Sequence, residues 1–330
     1  MNRSTLTHIS LAGTLLCAPF ASAEVIAASS AARSASISEP ADGPALGAAK
    51  TIETDDGVTL TVYDAGEGDP VILLAGGPGF AGIQMLPIAQ SVRASHRGIL
   101  MDQRGTGASE VDEIDPAAFT IDRSVADLNT VVDTLELDSV TLIGHSWGAV
   151  LSMAYAAEHP ERVASMVLVG PAGIDASFWA AYQGNIQQRL GPQDMQTLSQ
   201  IPQPEQTLEG MAEYSREVNK AIAHATLGNK DAAEALRAEM ALERFNPRVS
   251  LAMQGALQSF DFREQLKTFE APVLVIQGDE DPIGRPVADR IVETMPNATL
   301  EIIEACGHWP FLEHKDDLNR RIDAFLAGND

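Results

Sequence analysis

The stretch TLIGHSWGAVLSMA, Thr141 to Ala154, changes character at its centre. Thr141 to Ile143 belong to a short apolar run of the kind found in buried strands, and the alanine-rich run from Ala149 reads as a helix. Between them Gly144-His145-Ser146-Trp147-Gly148 matches G-x-S-x-G. A turn this sharp forces its central residue to positive φ, and side chains two positions to either side would collide, which accounts for Gly144 and Gly148. A plain tight turn would need the same glycines. A turn that presents a nucleophile also has a reason to put serine at its apex. There the free N–H groups and dipole of the following helix favour developing negative charge.

Outward from this stretch the same alternation repeats. Val71 to Ala75, Gly98 to Asp102, Val140 to Ile143, Ser165 to Val169, Val273 to Gln277 and Thr299 to Ile303 are short apolar runs, as buried parallel strands are. Val58 to Tyr63 alternates like an exposed strand. Between strands lie helical patterns; in Ile121 to Leu137, Val125, Leu128, Val132 and Leu135 share one face. Strands alternating with helices predict an α/β fold, a mostly parallel sheet flanked by helices. The alternation stops from about 174 to 270, a segment rich in Gln, Glu, Ala and Met, which predicts an inserted helical cap. The folded domain is expected over 51–330.

The 330 residues carry a formal net charge of −24, which argues against nucleic acid as a partner because phosphates would be repelled. Arg3 is the only charged side chain before the apolar run ISLAGTLLCAPF, and Ala21-Ser22-Ala23 follows as a small-residue cleavage pattern. This reads as a signal peptide over 1–23, exporting the chain to the periplasm or medium. The run is too short to span a bilayer comfortably, so no stable membrane insertion is expected. Residues 24–50, rich in Ala, Ser, Gly and Pro, read as a flexible leader. Cleavage after Ala23 leaves Cys306 as the sole mature cysteine, so no intrachain disulfide can form; a packing role suits it better than a nucleophilic one.

A serine hydroxyl needs a base. His145 adjoins Ser146 and its ring should point away. His159 ends a helix, His96 and His314 sit in charged surroundings typical of the surface, and His224 lies in the cap. His308, in the loop after the last strand (EACGHWPFLEH), falls at the sheet's carboxyl edge on the same side as Ser146 and is the expected base. The orienting carboxylate is Asp281, in VLVIQGDEDPIG, with Asp279 the alternative. The order Ser146, Asp281, His308 is the one expected of this architecture. Two N–H donors for an oxyanion are expected from Trp147 and from Gly77 in LLAGGPGF. Asp102 and Arg104 should brace the glycine-rich loop MDQRGTGAS. No metal or cofactor is called for.

From about Thr51 to its end the chain resembles an α/β-hydrolase. GGPG, DQRGTGAS and GHSWGA together resemble the proline iminopeptidase branch, whose members release N-terminal residues from small peptides. The resemblance implies the same triad, Ser146, Asp281 and His308, and the same oxyanion donors, Gly77 and Trp147. The sequence departs from that branch at Ala75, where histidine is usual, and at His145, where glycine is usual. It also lacks the Trp-rich cap motif ending in the glutamate that binds the substrate amine; Glu205, Glu209, Glu213 or Glu217 could take that role. The expected activity is therefore a serine hydrolase of small molecules or short peptides. An aminopeptidase is the first reading, a carboxylesterase or lactonase the second, and a non-catalytic binding protein is disfavoured because every triad position is filled. Material exported from a secreting host should begin at Glu24 or within a residue or two, read by N-terminal sequencing; exported protein that still carries Met1 would contradict the signal-peptide reading.

Overall fold

The computed structural model describes residues 46–241 and 243–328. The expected signal peptide and nearly all of the expected leader lie outside them. The described residues form an eight-stranded sheet: β1 (Ala48–Glu53), β2 (Thr59–Ala65), β3 (Pro70–Leu74), β4 (Arg97–Asp102), β5 (Val140–His145), β6 (Val163–Val169), β7 (Val273–Gly278) and β8 (Ala298–Ile303). Their spatial order is β1-β2-β4-β3-β5-β6-β7-β8. β2 runs antiparallel to both its neighbours, and every pairing from β4 to β8 is parallel.

The near-continuous apolar strands follow from burial on both faces. In β3, Ile72 and Leu74 enter one hydrophobic layer, while Val71 and Leu73 enter the other. The first layer is closed by α1 (Ile121–Thr134), α2 (Trp147–Glu158) and a helix over Arg285–Thr294; the second is closed by the helices Leu86–Val92 and Lys315–Ala327. Each fully buried Val, Leu or Ile contributes roughly 1.5–3 kcal/mol relative to exposure, so the two layers supply the bulk of the folding energy.

β1 is a strand the sequence pattern does not reveal. It begins at Ala48, three positions before the expected domain start at Thr51, and only Ile52 of its six residues is buried, opposite Leu60. An edge strand open to solvent carries almost no alternation to detect. β2 is more buried than its pattern suggests. Thr61 is covered by the loop after β4: its N–H donates to Ser109 Oγ at 2.7 Å.

Between β6 and β7 the chain leaves the sheet. It forms the cap helices α3 (Phe178–Arg189), α4 (Pro192–Gln200), α5 (Leu208–Ile222), α6 (Ala233–Glu239) and α7 (Pro247–Met253), with a final turn at Arg263–Leu266. The cap rests on the loop after β3. Phe80 and Phe245 form an antiparallel bridge with ring centroids 4.6 Å apart, and Asn246 N–H donates to the Gly79 carbonyl at 2.8 Å. Among the described residues no helix is long and apolar enough to cross a membrane.

The loop after β4 is braced as expected. Asp102 accepts from the N–H groups of Gly82 (2.7 Å) and Ala108 (2.8 Å). Arg104 is bidentate to both Asp127 and Asp56, at 2.7–3.0 Å. Its guanidinium holds the Asp56 carboxyl well below the usual carboxylate range.

Candidate active site

Ser146 sits between β5 and α2 with φ 54° and ψ −112°, outside the ordinary regions for a non-glycine residue. A Cβ on Gly144 would run into the Gly148 carbonyl, and one on Gly148 into the Leu74 carbonyl, so both glycines are needed for the turn to lie against its neighbours. Val169 in β6 secures the turn from the side, its carbonyl accepting from Ser146 N–H at 3.0 Å.

The sheet's carboxyl edge brings the three expected side chains together. His308 Nε2 lies 3.0 Å from Ser146 Oγ, and His308 Nδ1 lies 2.8 Å from Asp281 Oδ2. The other oxygen, Asp281 Oδ1, accepts from Ile283 N–H at 2.8 Å, so the carboxylate cannot rotate away. All three residues are buried. With Asp281 accepting from Nδ1–H, Nε2 is left as the acceptor for the serine hydroxyl proton. Asp279 does not bond to His308; it accepts from Cys306 N–H at 3.2 Å, joining the loop after β7 to the loop after β8. Cys306 is fully buried, and burial pushes its thiol well above the ordinary range, as suits packing.

The relay opens into a cavity of about 160 Å³ between sheet edge and cap. Gly77, Ser146, Trp147 and His308 form its floor, and Phe178, Trp179, Ile222, Phe245 and Leu257 are among its walls. Asn219 from α5 and Ser250 from α7 are polar groups on the cap side. No carboxylate, lysine or arginine is among the described residues that line it. Among the described residues, no acceptor takes the Gly77 N–H, and Trp147 is the first residue of α2, where N–H groups lack helical partners. Nor are three His, Cys, Asp or Glu side chains gathered among the described residues in a way that could hold a metal ion.

A model of the alpha/beta hydrolase fold family matches residues 69–315. The chain belongs to that family. It is 28% identical over 281 residues to the 2-hydroxy-6-oxo-6-phenylhexa-2,4-dienoate hydrolase of Burkholderia cepacia, covering 81% of this chain and 91% of that one. It is 27% identical over 278 residues to the proline iminopeptidase of Lactobacillus delbrueckii subsp. bulgaricus, covering 82% and 93%. The structure of a thermophilic esterase from Thermogutta terrifontis superposes with a TM-score of 0.67 at 21% identity, over 86% of this chain and 99% of that one. This alpha/beta hydrolase is an enzyme, and its relatives are hydrolases of several kinds.

The four cap glutamates stand apart from the cavity. Glu205 and Glu213 are exposed, Glu209 faces Arg248 at 3.8 Å, and Glu217 faces Arg216 and Lys220, each at 3.3 Å. His96, expected at the surface from its charged surroundings, is buried, with Nδ1 2.8 Å from Ser95 Oγ, because the turn before β4 packs closely on the turn after β2, where a Cβ on Gly66 would meet the His96 carbonyl.

Three contributors escape the motif. Glu313 collects the N–H groups of Gly228, Asn229, Gly307 and Trp309 at 2.8–3.3 Å, binding the His308 loop to the cap. The neighbouring EACGHWPFLEH pattern contains this residue, yet nothing in the pattern tells which backbone it reaches. Gln103 joins the loop after β4 to Trp147, with Oε1 accepting from the indole N–H at 2.7 Å. His145 does point away from the cavity, and its Nε2–H donates to the His308 carbonyl at 2.8 Å, tying the His308 loop to the residue before Ser146.

Burial, and secondarily the neighbouring His308, push His145 down to about 3. Its folded value is below its unfolded one, so the unfolded chain binds a proton that the folded chain refuses between about pH 6.5 and 3. The stability this residue contributes is full above about pH 6.5 and falls with acidification by at most ~1.4 kcal/mol per pH unit. His145→Gln keeps an N–H donor at a similar reach and removes the titration. Urea unfolding from pH 7 to 4 should therefore give a shallower loss of stability in the variant; equal slopes would show that His145 is not held neutral.

Proposed function

We propose that this alpha/beta hydrolase is a serine hydrolase that works through an acyl-enzyme on a compact, uncharged acyl group, an ester or lactone. One observation carries the reading: a buried Ser-His-Asp relay opens into a cavity whose described lining holds no carboxylate.

Ser146 Oγ attacks the carbonyl carbon while His308 Nε2 takes its proton. Asp281 holds Nδ1–H and stabilises the imidazolium that forms. The carbonyl oxygen, now an oxyanion, lies against the N–H groups of Gly77 and Trp147. The imidazolium returns its proton to the leaving oxygen as the tetrahedral species collapses, which leaves Ser146 acylated. Water then gives a proton to His308 and its oxygen to the acyl carbon. Collapse releases the acid, and the proton goes back to Ser146.

The choice of acyl group rests on electrostatics. A substrate α-ammonium buried under the cap without a carboxylate partner costs several kcal/mol. The glutamates of the cap are spent on solvent and on neighbouring cations. A neutral acyl chain meets no such penalty against the aromatic and aliphatic walls. The volume is close to the ~150 Å³ that admits a benzene ring, which favours short or single-ring acyl groups. The iminopeptidase reading keeps the support of the relatives that bear that name. We further propose that the chain is exported, on the strength of the Arg3-led apolar run and Ala21-Ser22-Ala23.

The test compares p-nitrophenyl butyrate with free and N-acetylated proline p-nitroanilide on one preparation. The butyrate ester should be turned over efficiently, and the free proline anilide no faster than its N-acetylated form, because a buried ammonium finds no carboxylate partner. Efficient turnover of the free anilide that disappears on N-acetylation would instead establish the aminopeptidase. Ser146→Ala should remain folded and lose kcat by about 10⁴–10⁶. Fluorophosphonate should label wild-type protein at Ser146, and labelling elsewhere would refute the nucleophile.

A further inference from the structure

An oxyanion hole assembled from two chain segments works only if both N–H donors are aimed before the reaction begins. Here one donor, Gly77, lies in a loop after β3, and the other, Trp147, opens α2. Neither residue of the Gly76–Gly77 peptide carries a side chain and Gly77 has φ 110°, so the backbone torsions alone do not fix this peptide and its orientation depends on the contacts around it. Among the described residues its carbonyl is engaged only by the long 3.4 Å bond from Phe80 N–H.

The restraint comes from the preceding peptide, Ala75–Gly76, which is clamped at both ends. Gly76 N–H donates to Gln84 Oε1 at 2.7 Å, and the Ala75 carbonyl accepts from Gln103 Nε2 at 3.0 Å. The same Gln103 amide reaches the other donor residue, since its Oε1 accepts from the Trp147 indole N–H at 2.7 Å. A carbonyl can only accept and an indole N–H can only donate, so the orientation of the amide is fixed and both its ends are used. Neither a carboxylate nor an aliphatic chain could make this bridge. Gln103 is in turn held by its own loop, where its carbonyl accepts from Thr106 N–H at 2.9 Å and Thr106 Oγ1–H at 2.7 Å, between the buried anchors Asp102 and Arg104.

We propose that Gln103 is the positioning residue of the oxyanion hole: one buried amide locks the Gly77 loop and Trp147 to each other and keeps both N–H donors aimed at the same point. The proposal rests on the reading of Ser146 as nucleophile with Gly77 and Trp147 as its donors. Gln103 does not touch the substrate; it acts through the two residues it joins.

Gln103→Met removes both bonds at nearly constant volume. Gln103→Glu keeps the acceptor for the indole but faces the Ala75 carbonyl with a second acceptor. In each, kcat for p-nitrophenyl butyrate should fall about 10- to 100-fold, less than the ~100- to 1,000-fold of deleting a donor outright. KM should stay within about threefold of wild type, because the walls of the cavity are untouched. Affinity for n-butylboronic acid, whose serine adduct places an oxygen in the hole, should fall in step with kcat. The pH profile of kcat/KM should not move, because the His308–Asp281 pair is intact; a moved profile would mean that the relay itself had been disturbed and would overturn the assignment. Folded variants with wild-type kcat and boronate affinity would also overturn it, while leaving the nucleophile reading standing if fluorophosphonate still labels Ser146. Loss of that label in wild type is the separate failure of the nucleophile reading. Should both variants fail to fold, the crystal structure of the wild-type boronate adduct decides. Gln103 should remain bonded to Ala75 and Trp147 with the adduct oxygen against both N–H groups; a flipped Ala75–Gly76 peptide or a released Gln103 would refute the proposal.

Discussion

Ser146 is held at φ 54°, a conformation that L-residues avoid, by the contacts around it. Gly144 and Gly148 let the strand and helix close on the turn, and the Val169 carbonyl captures the serine N–H. The hydroxyl is thereby lifted off the sheet edge to the one place that His308 can reach from the loop after β8. Parallel strands make this possible: β5, β6, β7 and β8 all end at the same edge, so residues far apart in the chain arrive within hydrogen-bond distance.

Around this point the loops are restrained by hydrogen bonds to backbone rather than by surface ion pairs. Glu313 gathers N–H groups on both sides of His308, His145 holds the His308 carbonyl, and two glutamines hold one peptide ahead of Gly77. Buried bonds of this kind are directional and little screened by salt, so they suit a site that must be rigid before substrate arrives.

The cavity does not share the charge of the molecule. The chain carries a net charge of −24, yet the described lining of the cavity contains no carboxylate. Acidic side chains on the cap face solvent or basic neighbours, where hydration is retained. The same acidic richness that made the cap look equipped to bind an amine in the sequence is, in three dimensions, an outer surface.

The sequence by itself determined the sharp strand-to-helix turn at Ser146, the placement of Asp281 and His308 in loops after later strands, and the α/β alternation. Each is written in short-range rules: small residues at close approach, apolar runs of strand length, and loops at the carboxyl end of strands. Asp281 could be preferred over Asp279 on local pattern alone, and their hydrogen bonds agree with that preference. Tertiary structure alone decided the rest. β1 exists because Ile52 finds Leu60, not because its own residues are apolar. His96 is buried by a turn that its charged neighbours conceal, and the packing of the cap helices sets Glu209 and Glu217 against basic neighbours, away from the cavity. Gln103 lies in a loop legible as a brace, but its role depends on two partners 28 and 44 residues away that meet only when the sheet is assembled. A side chain's type and spacing reveal what it can do locally; which groups it touches across the fold is set by the packing of the whole core.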